Sequence, residues 1–102
     1  MSETQETISQ WSVETFGDAG TNLRVAVRAN EEMAELLRCL SSKDDSPNAA
    51  SEIADVIIVL YRLAQRMGVS VQKEIDLKMI INRGRVWQRS NEDGCGYHVR
   101  KQ

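Results

Sequence analysis

Apolar side chains recur at helical spacing through most of the chain, and the periodic stretches are separated by glycine, serine or proline. The first stretch sets Ile8, Trp11 and Thr15 on one side of a helix expected over residues 3–16, where Gly17 stops it. In a second helix over 21–40, Leu23, Val27, Met33 or Ala34, Leu37 and Leu40 keep the period. A polar break follows. Ser46-Pro47 then has the form of an N-cap with proline at the first helical position, opening a third helix over 47–67. Gly68 and Ser70 separate it from a fourth over 71–88, whose apolar side is Ile75, Met79 and Ile80. Gly84 costs this helix about 1 kcal/mol relative to alanine and marks a weak point or a close backbone approach.

No stretch alternates apolar and polar residues over a useful length, so strands are not expected and the chain reads as all-α. Residues 1–89 form one domain, a bundle of four to five helices, and residues 90–102 a tail without period. The third helix stands apart: from Ile53 to Tyr61, Asp55 is its only charged residue. A helix apolar on nearly every side needs cover all round, which places it inside a bundle completed most simply by a second copy of the chain.

Composition adds limits. With 102 residues and a net charge of −2, the chain makes one small core and has no basic surface suited to a nucleic-acid polymer. Its polar, acidic start is unlike a secretion signal, and the longest apolar run is far too short for a membrane, so a cytoplasmic protein is expected. Cys39 and Cys95 form neither a zinc motif nor a disulfide framework and read as free thiols.

The chemistry centres on acids. Glu32 and Glu35 are three apart, as are Glu52 and Asp55, so each pair shares a helix face. A reversal near Lys43 and Asp44 puts Glu35 level with Glu52 and Glu32 level with Asp55 on facing helices. Four carboxylates converging there repel one another unless a divalent cation sits among them. Hard oxygen donors without histidine favour magnesium or manganese. Farther along, Lys78, Asn82 and Arg85 align as a polar stripe suited to an oligophosphate, although a solvated helix face has the same appearance. Trp11 and Phe16 either cap one end of the core or, for Trp11, wall in a planar ligand. His98, the single histidine, falls in the tail and is assigned no role.

The order Glu31-Glu32-x-x-Glu35, a sixteen-residue spacer, then Glu52-x-x-Asp55 resembles the signature of the MazG-like all-α nucleoside triphosphate pyrophosphohydrolases. Lys78-x-x-x-Asn82-x-x-Arg85-x-Trp87 is similar to the basic segment of that family's last helix. The resemblance spans roughly residues 21–88 and implies cleavage of a (d)NTP between its α and β phosphates. It further implies Mg²⁺, with Mn²⁺ as a substitute, held by Glu32, Glu35, Glu52 and Asp55. A bound water is activated there, with Glu31 and Glu35 as candidate catalytic residues, Glu31 to orient or deprotonate that water or, equally, as a surface residue, while Lys78, Asn82 and Arg85 hold the phosphates. Sites built between subunits of a homodimer or homotetramer are implied as well. Two alternatives stay open: a phosphoribosyl-ATP pyrophosphatase-like enzyme, and a non-catalytic helical dimerisation or regulatory module with a structural cation.

Overall fold

The computed structural model describes residues 2–41, 47–89 and 96–99. In order these form α1 (Gln5–Phe16), α2 (Asn22–Leu40), α3 (Ala49–Arg66), α4 (Val71–Arg83), β1 (Trp87–Arg89) and β2 (Gly96–His98). The chain divides into two units, 1–71 and 72–102.

In the first unit, local chemistry sets the helix ends. Thr4 caps α1 through a reciprocal pair of hydrogen bonds with Thr7, and Thr21 caps α2 by accepting from the Arg24 amide at 3.1 Å. Gly17 closes α1 at φ +78°, and Gly68 follows α3 at φ +72°, where a side chain would be strained. The Gly68 and Val69 amides turn back to Gln65 and Ala64, the paired bonds of a Schellman stop. The expected start of α3 is corrected: the helix begins at Ala49, two residues after Pro47, and Asn48 holds the cap position in helical conformation without a side-chain cap bond. Ser46 lies outside the described residues.

α2 and α3 pack as an antiparallel hairpin, with α1 laid against α3. Val25, Ala29, Leu36, Val56 and Ala64 are the buried apolar residues among those described. The apolar stripe expected on α2 is therefore also corrected. Its packed face is Val25, Ala29, Glu32 and Leu36, whereas Leu23, Val27, Met33, Leu37 and Leu40 are exposed. α2 carries two adjoining apolar faces, and the one that enters the hairpin includes an acid. Ile53, Ile57 and Leu60 on α3 are likewise exposed in the single chain.

Two arginines of α3 hold the turn between α1 and α2. Arg62 donates to the Gly17 carbonyl, and Arg66 bonds Asp18 and, at 3.0 Å, the Asn22 side chain. At the far end of α1, Gln5 donates to the Val69 carbonyl at 2.7 Å and accepts from the Val71 amide at 2.9 Å. α1 is thus tied to α3 at both ends by polar contacts.

In the second unit, α4 ends at Arg83 rather than near residue 88 as expected. Gly84 is the first residue beyond it, its amide still reaching the Ile80 and Ile81 carbonyls. The Trp87 indole donates to the Asn82 carbonyl at 2.8 Å, folding the chain back on the helix end. β1 and β2 then pair antiparallel, Trp87 opposite His98 and Arg89 opposite Gly96. The all-α reading stands, and this hairpin is the local exception to the expectation of no strands. A strand of three residues is too short to show alternation in sequence.

The Arg66 guanidinium, followed by the Gly20 amide, holds the exposed Asp18 carboxyl below its ordinary value of 3.8. A lowered carboxylate contributes stability that is complete above that value and is lost as pH falls through the folded value. Asp18→Asn is therefore expected to melt below the wild type at neutral pH. The two melting curves should begin to converge as the pH falls below 3.8 and meet once it is below the folded value.

Candidate active site

The hairpin register brings Glu32, Glu52 and Asp55 together, with one oxygen of each within 4.8 Å of the others. Glu32 faces α3 because it falls on the packed stripe of α2, seven residues after Val25 and three after Ala29. Glu52 and Asp55 follow from the three-residue spacing on α3. Glu35 acts on this group through Glu32, whose carboxyl its charge helps to push up. It is not one of the three that converge.

Electrostatically the cluster is strained. Burial raises the Glu32 pKa above its ordinary 4.5, Arg28 pulls it down, and the Glu35 and Asp55 carboxylates push it up again. Arg28 contacts both members of the adjacent acid pair, Nη1 to Glu31 Oε2 at 2.9 Å and Nη2 to Glu32 Oε1 at 2.5 Å. Glu31 is exposed and meets the cluster through that arginine. Among the described residues, Glu52 Oε2 is buried without a hydrogen-bond partner. An orphan carboxylate oxygen beside two further acids is a donor set that suits a hard divalent cation.

A cleft of about 570 Å³ opens beside the acids between α1, α2 and α3. Glu32 and Asp55 lie on its wall, with Arg28 and Arg62. Trp11 and Phe16 line it too, their rings edge to face with centroids 5.5 Å apart. Both rings are exposed in the single chain, so neither caps the core. Ile58 and Val59 add apolar lining.

Lys78, Asn82 and Arg85 belong to the second unit. Lys78 and Asn82 stand on α4, Arg85 just past its end, and Asn82 Oδ1 is buried without a hydrogen-bond partner. Cys39 is half-buried and in no disulfide among the described residues, and Cys95 lies outside them. Among the described residues no helix is long and apolar enough to cross a membrane.

Sequence reasoning overlooked Arg62 and gave Arg28 and Phe16 no part in a site. Arg62 stands seven residues after Asp55, which is two turns along the same face of α3, and that spacing was the available signal. The place of Phe16 depends on where α1 docks, which no local pattern encodes.

Comparison with known proteins agrees with this geometry. The model of the MazG-like family matches residues 27–97. The dATP/dGTP diphosphohydrolase of Salmonella phage PMBT28 is 37% identical over 99 residues, 97% of this chain and 31% of that protein. The dATP/dGTP diphosphohydrolase of cyanophage S-2L is 36% identical over 69 residues, 68% of this chain and 60% of that protein. The chain thus spans about a third and three-fifths of the curated relatives it matches. Among solved structures, a cyanophage S-2L MazG-like pyrophosphohydrolase, bound to dGDP and three catalytic Mn²⁺ ions per active site, superposes with a TM-score of 0.75. It is 30% identical, and the match covers 96% of this chain and 91% of that one.

Removing a charge from the cluster should relieve repulsion in the metal-free protein and abolish the response to metal. Asp55→Asn is expected to melt at or above the wild type in chelator. Mn²⁺ at about 100 times its Kd should stabilise the wild type by about 2.7 kcal/mol and leave the variant unmoved in calorimetry.

Proposed function

The chain belongs to the MazG-like family, and on that premise we propose that it is a metal-dependent nucleoside triphosphate pyrophosphohydrolase acting on purine deoxynucleotides. It would release the monophosphate and pyrophosphate from dATP or dGTP. The observation that carries this reading is the convergence of Glu32, Glu52 and Asp55 at one end of an aromatic-walled cleft, with Glu52 Oε2 unpartnered. Its substrate class follows the two phage relatives named dATP/dGTP diphosphohydrolases.

Glu32, Glu35, Glu52 and Asp55 are the residues that would hold Mg²⁺, or Mn²⁺ in its place. When bound, the ions supply neutralisation of phosphate charge and a water of lowered pKa for attack on the α-phosphorus. Glu35, three residues after Glu32 on α2, would orient that water and take its proton. Glu31 assists through its hold on Arg28. Trp11 and Phe16 offer the base an apolar surface for stacking and keep bulk water from that side of the cleft. Lys78, Asn82 and Arg85 keep their proposed role on the β and γ phosphates, on the strength of residue chemistry and sequence pattern.

Pyrophosphate release from a nucleotide panel with Mg²⁺ or Mn²⁺ tests the assignment. Turnover of dATP and dGTP is expected, with Asp55→Asn lowering kcat/KM by about 10²–10³-fold. Trp11→Ala is expected to raise KM about tenfold, within the ~1–3 kcal/mol that stacking on an aromatic ring contributes. No pyrophosphate from any nucleotide would leave a helical module with a structural cation.

The same reading includes self-association. Ile53, Ile57 and Leu60 on α3, with Leu37 and Leu40 on α2, leave apolar surface uncovered in the single chain. Light scattering is expected to give a multiple of the chain mass, and Ile57→Glu to give the monomer.

A further inference from the structure

Arg28 is a cation placed where the proposed reading puts metal. Its guanidinium spans two acids with different surroundings: Glu31 is half exposed, and the Glu32 side chain is 9% exposed. The arginine itself is half exposed and lines the cleft between the acids and the aromatic wall. Two features follow from elementary electrostatics. A monovalent cation on Glu32 Oε1 offsets part of the repulsion among Glu32, Glu35 and Asp55 while no metal is present. The same cation opposes a divalent ion that seeks the same carboxylate, because like charges a few ångströms apart repel, and the buried side of Glu32 limits the screening between them.

We propose that Arg28 is the resident counter-ion of the acid cluster, and that metal binding hands it over to the nucleotide's phosphates. Its fork is suited to the exchange. Glu31 anchors one nitrogen on the outside, so release from Glu32 leaves the guanidinium tethered at the cleft. Its second edge is then free for a phosphate oxygen, which a planar guanidinium binds bidentately. Arg28 so couples the order of events: metal first displaces it, and the displaced charge then adds to the attraction for a triphosphate. This rests on the pyrophosphohydrolase reading, and the two can fail separately.

The test is Mn²⁺ titration by calorimetry without nucleotide, on the wild type, Arg28→Gln and Arg28→Lys, each checked for helicity by circular dichroism. Removing the charge is expected to tighten Mn²⁺ binding roughly tenfold, and the lysine variant to remain near the wild type. With Mn²⁺ saturating, Arg28→Gln is expected to raise KM for dGTP roughly tenfold, since a phosphate contact is lost. Mn²⁺ binding equal to or weaker than wild type in Arg28→Gln overturns the proposal, because a merely structural arginine cannot raise metal affinity when removed. A wild type that binds no Mn²⁺ overturns the metal reading itself. If Arg28→Gln lacks wild-type helicity, Arg28→Lys decides: its charge keeps Mn²⁺ affinity near wild type while its single ammonium, unable to span Glu31 and a phosphate, still raises KM. Affinity tighter than wild type or an unchanged KM in that variant overturns the proposal.

Discussion

Carboxylates facing one another across the α2–α3 contact are the constraint around which the first unit is arranged. A packed helix stripe normally carries only apolar side chains, and here Glu32 takes one of its four buried places on α2. Burying a carboxylate among carboxylates costs several kcal/mol unless a cation balances it. Arg28 supplies part of that balance from the same helix, while Glu52 Oε2 stays without a partner. The interface therefore gives up stability in exchange for a donor set that suits a divalent cation. A site of this kind is destabilising by itself and stabilising when loaded, which links folding to the ligand it serves.

Where the cleft lies is decided by different contacts. α1 contributes no acid to the converging group, yet it supplies Trp11 and Phe16, and its position depends on polar ties at both ends. Arg62 and Arg66 reach from α3 to the turn after Gly17, and the latter is pinned between Asp18 and Asn22. The helix that holds Asp55 also holds the turn that aims the aromatic rings. Charged groups and aromatic wall are thereby referenced to one rigid element, the arrangement that keeps a site's geometry constant while its ligands change.

The exposed apolar residues of α2 and α3 have a related origin. The pattern of α2 contains two adjoining apolar faces, and only the one with Glu32 is used inside the hairpin. A chain this small buries a limited fraction of its surface, so satisfying the acid register leaves Leu23, Leu37 and Ile57 outside. The acid pair on one stripe and the uncovered leucines on the next are consequences of one choice of packing.

What the sequence alone determined is whatever depends on spacing along a helix: four helices, the ends marked by Thr21, Gly17 and Gly68, and the acid pairs at three-residue intervals. Helical geometry fixes these relations over a few residues, and so the approach of Glu32 to Asp55 is written in the spacing, while the expected place of Glu35 in the convergence is not met. What only the tertiary structure decided is which apolar stripe of α2 turns inward, where Trp11 and Phe16 come to rest, and that Arg28 and Arg62 share their cleft. The short hairpin of β1 and β2 is of the same sort, since three residues carry too little pattern to announce a strand. The physical reason is range: backbone hydrogen bonding repeats every turn and is written locally, whereas the docking of one helix on another is chosen by the whole balance of buried area and charge.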